Sequence, residues 1–139
     1  MVEMMNKVEQ GEAAADRAFV AFLAALYLEG LEQMSAGGDL LHKSFHGALH
    51  VLRQNATTGG WFRRFRASPT SGRIEALDRA IIRAEQYGLV QFPNPSYTRV
   101  RVALSPVDAQ LLLSDVGEER ETIEQAAREF RKVYEANRW

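Results

Sequence analysis

Arginine is the residue with the most chemistry to offer in this sequence. Residues 43–101 carry Lys43 and nine arginines (Arg53, Arg63, Arg64, Arg66, Arg73, Arg79, Arg83, Arg99 and Arg101) against Glu75, Asp78 and Glu85, a local charge of +7. Residues 1–42 hold two bases and seven acids (−5), and residues 102–139 hold five bases and eight acids (−3). A basic middle between acidic ends is the asymmetry of a chain that turns one surface toward a polyanion. The guanidinium fork suits both phosphate and the guanine edge in a major groove. Surface charge scattered without a partner is the competing reading.

Histidine is the second candidate. His42, His46 and His50 are the three in the protein and recur every fourth residue. Neighbours at this spacing on a helix can chelate a divalent ion. The stripe drifts by about 40° per step, so one ion could not take all three without another side chain. The spacing reads first as the polar flank of an amphipathic helix, with His42, His46 and His50 as weak metal candidates.

Other chemistries lack their residues. The chain has no cysteine, which excludes a disulfide framework, a cysteine-ligated zinc and a thiol nucleophile. It has no Gly-x-Ser-x-Gly, no His-Glu-x-x-His and no phosphate-cradling glycine loop. Neither an enzyme nor a cofactor is expected. The 139 residues suffice for a single domain with its own core, and 46% apolar with 25% charged residues is ordinary globular composition. The longest uncharged apolar run, residues 18–28, is too short to span a bilayer, and a cytoplasmic protein without membrane contact is expected.

Hydrophobic spacing divides the chain into elements. A long helix is predicted over residues 11–34, with Phe19, Phe22, Leu23, Leu26, Leu31 and Met34 on its apolar face. A second helix is predicted over residues 40–54, capped by Asp39 and striped by Leu41, Phe45, Ala48 and Leu52. Residues 55–60 read as a loop broken by Gly59-Gly60. Trp61, Phe62 and Phe65 suit a short helix that turns Arg63, Arg64 and Arg66 outward. After the turn at residues 68–72, which offers capping oxygens, a helix over residues 72–86 places Ile74, Leu77, Ile81 and Ala84 inward, and Gly88 closes it. Its outward arc carries Glu75, Arg79, Ile82, Arg83 and Gln86. Residues 89–92 and 98–104 read as a hairpin with Arg99 and Arg101 on one face. Ser105-Pro106 starts a helix with Val107, Leu111 and Leu112 inward. A last helix after Gly117 carries Ile123, Ala127, Phe130, Val133 and Tyr134.

This order resembles a winged helix-turn-helix, most like the small MarR- and PadR-type bacterial transcriptional regulators. The resemblance rests on Ile81, Ala84, Glu85, Gly88, Leu89 and Val90, and on the run Arg101-Val102-Ala103-Leu104-Ser105-Pro106. It implies a mainly α fold with a small β-hairpin: residues 57–115 as the winged core, residues 11–54 as N-terminal helices and residues 117–139 as a C-terminal helix. It also implies double-stranded DNA as the partner, with a role as a repressor-type transcriptional regulator. Thr70, Ser71 and Arg73 would then meet base edges, Arg79 and Arg83 the groove or its walls, Arg99 and Arg101 the backbone or minor groove, and Arg63, Arg64 and Arg66 the phosphates. The long acidic terminal helices are expected to form a homodimer. The outward Ile82 and the apolar Trp61 suit a second reading, a winged-helix module that binds protein rather than DNA.

Overall fold

A computed structural model describes residues 2–36, 38–93 and 98–138. The elements run α1 (Val2–Leu28), β1 (Gln33–Ser35), α2 (Leu40–Leu52), α3 (Ala56–Trp61), α4 (Glu75–Gln86), β2 (Val90–Gln91), β3 (Arg99–Val102), α5 (Pro106–Ser114) and α6 (Arg120–Asn137), with a 3-10 turn (Gly117–Glu119) before α6. The fold is mainly helical, with one three-stranded antiparallel sheet in the order β1-β3-β2. None of the described helices is long and apolar enough to cross a membrane.

The first helix stops earlier than its apolar spacing predicts. Gly30 adopts φ +92°, and the amides of Gly30 and Leu31 return to the carbonyls of Tyr27 and Leu26 at 3.0 and 2.9 Å. This is a glycine-dependent helix stop, sealed by the buried Leu31. Met34, expected on the helix, is therefore the inward residue of β1 and pairs with Val100. That strand makes the expected hairpin a three-stranded sheet. On β3 the alternation is as read: Val100 and Val102 are buried, Arg99 and Arg101 exposed.

Residues 55–60 are not a loop. The Asn55 side chain accepts from the amides of Thr57 (2.8 Å) and Thr58 (3.4 Å), and this cap starts α3 despite its two glycines. Buried Thr58 donates to the Leu52 carbonyl at 2.5 Å, fastening α3 under α2. Conversely, the predicted helix around Phe62 to Ala67 is a turn. Phe62 and Phe65 are nonetheless buried while Arg63, Arg64 and Arg66 face solvent.

A single hydrophobic core reaches from α1 to α6. Six of the seven phenylalanines meet in it. The Phe45 ring lies 5.3 Å from Phe22, 5.4 Å from Phe65, 6.2 Å from Phe62 and 6.3 Å from Phe19, and Phe22 in turn meets Phe130 at 5.7 Å. Helix α2 lies so close to α6 that a Cβ on Gly47 would sit 2.9 Å from Val133. The inward residues of α6 (Ile123, Ala127, Phe130, Tyr134) and, apart from the half-buried Val20, the apolar stretch of α1 from Ala18 to Leu26 are buried within the chain. Val133 is only half-buried. Helix α5 is rotated from its predicted face. Ser105 caps it as read, through the Asp108 amide at 3.1 Å, but Ala109 and Leu113 point inward while Val107 and Leu111 are 68% and 65% exposed. A run of three leucines (Leu111 to Leu113) satisfies several helical faces equally; α5 packs on α1 with Ala109 and Leu113 buried and Leu112, expected inward, partly buried against the core.

Candidate nucleic-acid interface

Helix α4 carries the centre of the basic segment. Ile74, Leu77, Ile81 and Ala84 anchor its inner face, which leaves Arg79 and Arg83, four residues apart, on one outer side. The turn after α3 brings Arg63 and Arg64 opposite them, and the Arg53 guanidinium pins this turn by donating to the Phe65 carbonyl at 2.9 Å. Together with Asp16 of α1 and Trp61, these four arginines line a cleft of about 290 Å³. Phe65 and the small residues Ala15, Gly60 and Ala76 complete its wall.

The electrostatics of the cleft are not simply additive. Arg83 donates through Nε and Nη2 to one oxygen of Asp16, at 3.1 and 2.9 Å, so one acid from the N-terminal segment offsets one of the four arginines. Arg79 stands 3.9 Å from Glu75, both well exposed, a pairing too weak to neutralise it. The cleft keeps a net positive charge. Arg66 lies beyond it, its Nε donating to the Arg63 carbonyl at 3.3 Å.

The N-terminus of α4 is built differently from the sequence expectation. Thr70 and Ser71 belong to a turn closed by Gly72 N–H to Ser68 O (2.9 Å) and Ser68 N–H to Arg73 O (2.8 Å), several residues before the helix. The capping acceptor comes from another helix: His42 Nδ1 receives the Ile74 amide at 2.9 Å. Nε2 then carries the ring proton and donates to Asp78 at 3.2 Å, and Asp78 also holds Arg73 at 3.1 and 3.3 Å. His42 is only 3% exposed, not part of a polar flank. His46 instead lies 3.3 Å from the Gly72 carbonyl, and His50 faces solvent. No group of three metal-ligating side chains converges among the described residues.

Burial pushes the His42 pKa below 6.5, partly opposed by the Asp78 carboxylate and reinforced by the Arg73 guanidinium. The folded chain thus keeps His42 neutral at a pH where the unfolded chain takes up a proton. Stability contributed by this group is complete above about pH 6.5 and declines as pH falls from there toward the folded-state pKa. Urea unfolding at neutral pH and near pH 5 is expected to show that decline. His42→Asn, whose Oδ1 can still accept from Ile74, should flatten it. His42→Leu should cost roughly 1–3 kcal/mol at neutral pH by orphaning the amide.

The remaining predicted residues lie on the sheet. Arg101 donates to Gln91 across β2, and Arg99 reaches Gln33 of β1 at 3.4 Å, giving the outer sheet face a ladder of arginine and glutamine. Residues 94–97, within the connection expected between the two strands, lie outside the described residues. The structure thus gathers Arg63, Arg64, Arg79 and Arg83 around one cleft. It sets Arg66, Thr70, Ser71 and Arg73 on the loop leading to α4, and Arg99 and Arg101 on the sheet.

Sequence reasoning missed Asp16 and Arg53 as parts of this site. Asp16 had a visible signal, an acid inside a run of alanines and aromatics on a helix that must be covered on several sides. Arg53 had none, because its role depends on where the carbonyl of Phe65 arrives. Comparison with protein-family models, with curated proteins and with solved structures finds no match.

Proposed function

We propose that the protein is a non-catalytic double-stranded DNA-binding protein, a winged-helix transcriptional regulator of repressor type. The cleft of four arginines beside α4 carries this reading, because its positive charge lines the flank of the helix that the pattern assigns to DNA. Two further features support it. A strand ahead of α2 completes a small antiparallel sheet in the order β1-β3-β2, which includes the hairpin expected of the wing, and Arg99 and Arg101 are exposed on its strand β3. Placed on a duplex, α4 enters the major groove, the cleft takes backbone phosphates and the hairpin follows the strand. Homodimerisation belongs to the same proposal, and Val107 and Leu111 on α5 are among the described apolar side chains open to a second copy.

Anisotropy of a labelled duplex across a salt series tests the reading. A log–log slope of about −4, as for four or five neutralised phosphates, is the expected result. Absence of binding at about 50 mM salt would overturn it. A second reading is favoured by Ile82 on α4, 52% exposed, and Tyr87 at its C-cap, 74% exposed. These apolar side chains suit a protein partner, and pull-down through an Ile82→Asp contrast separates the two.

A further inference from the structure

The cleft holds two features that a duplex backbone leaves without purpose. The first is Trp61, which is half-buried and lines the cleft beside Phe65, among arginines, Asp16 and three small residues. Paired bases stack on one another inside a duplex and offer no face to an indole, whereas an unpaired nucleotide does. The second is Asp16. An acid weakens a site for bare phosphate, yet here it sits in the wall, and both hydrogen bonds from Arg83 land on its Oδ1. Oδ2 keeps its capacity to accept, which fits the N–H edge of a base. The volume, about 290 Å³, has room for roughly ten waters. That suits one base and its phosphate.

From this geometry we infer that the cleft between α1, α3 and α4 binds a single nucleotide unit. The phosphate lies on Arg63, Arg64 and Arg79, the base lies against Trp61, and Asp16 favours bases with adjacent N–H donors, guanine above uracil. The inference rests on the reading of this cleft as a phosphate-binding surface, but not on the duplex. The unit could come from a free nucleoside phosphate or from a single strand, since both present the same chemistry.

Trp61 itself reports occupancy once Trp139, the other tryptophan, is changed to Phe. In that background GMP is expected to quench Trp61 fluorescence, while ribose 5-phosphate, which lacks the base, leaves it unchanged. Asp16→Asn should bring GMP down to the affinity of UMP. Gly60→Leu should weaken GMP at least tenfold by filling the cleft. Gly60 is exposed and a Cβ there meets nothing within 4 Å, so the fold tolerates the change. Arg64→Ala supplies a second variant, with the same loss expected.

A single strand of about eight nucleotides distinguishes the sources. Binding more than tenfold tighter than GMP identifies a nucleic-acid strand, and equal or weaker binding identifies the free nucleotide. No Trp61 response to either ligand, or a response unchanged in both variants, overturns the inference. The same variants are tested on duplex DNA. Duplex binding with no nucleotide binding sinks the inference and leaves the duplex reading standing, and the reverse result sinks only the duplex reading.

Discussion

If the proposed duplex binding holds, replacing Arg63 and Arg64 together by alanine is expected to lower duplex affinity on the order of a hundredfold and to reduce the salt slope by about two units. Both side chains project from a turn whose apolar residues, Phe62 and Phe65, are buried independently of them. The variant therefore removes charge without removing core. A hydrogen bond to a charged group contributes about 1.5–3 kcal/mol, so two such contacts supply the expected loss. The slope is the sharper readout, since it counts phosphates regardless of sequence. Arg128, which pairs with Glu29 at 3.7 Å at the α1–α6 contact, provides the control. Arg128→Ala should leave both affinity and slope unchanged. An unchanged slope in the Arg63/Arg64 variant would place the duplex elsewhere on the molecule. Arg73 is a poorer choice for this experiment, because its bond to Asp78 ties it to the His42 cap and mixes binding with stability.

Phe45→Ala gives the largest expected loss of stability, about 3–5 kcal/mol. Phe45 is fully buried, and its ring meets those of Phe19, Phe22, Phe62 and Phe65, which come from α1 and from the turn after α3. Truncation opens a cavity that these rings cannot close together, since each is also held by its own element. Set against a typical total of 5–15 kcal/mol, the loss brings the variant close to unfolding at ambient temperature. Urea denaturation followed by circular dichroism measures it. A change below about 1 kcal/mol would mean that the phenylalanine cluster relaxes as a unit. Phe45→Leu keeps most of the volume and is expected to retain a cooperative transition.

Both variants probe parts of the molecule that differ in how far the sequence reveals them. Period and turn chemistry sufficed where each was unambiguous. The strand Arg99–Val102, the Ser105-Pro106 start and the inner face of α4 follow from alternation, a cap and an i, i+3/i+4 stripe, and each is found in place. Reading failed where two local signals compete. Gly59-Gly60 argues for a break, yet Asn55 caps α3 and the buried Thr58 hydroxyl fastens it, an advantage that exists only once α2 is beside it. Leu31 and Met34 kept a helical spacing past a glycine that stops the helix, and the strand they lead into has its partner some 65 residues later. Of the candidate site, the arginines were legible as charge. Their gathering into one cleft was not, because Asp16, Trp61 and Arg83 are brought together by packing between α1, α3 and α4.

The strand β1 has one further neighbour. Its Ser35 amide donates at 2.9 Å to the hydroxyl of Tyr134, 99 residues away. Strand β1 is one of the two edge strands of the sheet, and such a margin invites pairing with another chain. A phenol from the final helix covers this point. The order of synthesis then matters: the margin is made early and capped only after a further 99 residues. While α6 is unfinished, the open margin and the face of α2 that packs on α6 are uncovered together. Helix α6 acts as the latch of the fold, and chains truncated before residue 134 are expected to self-associate more readily than the chain that carries α6.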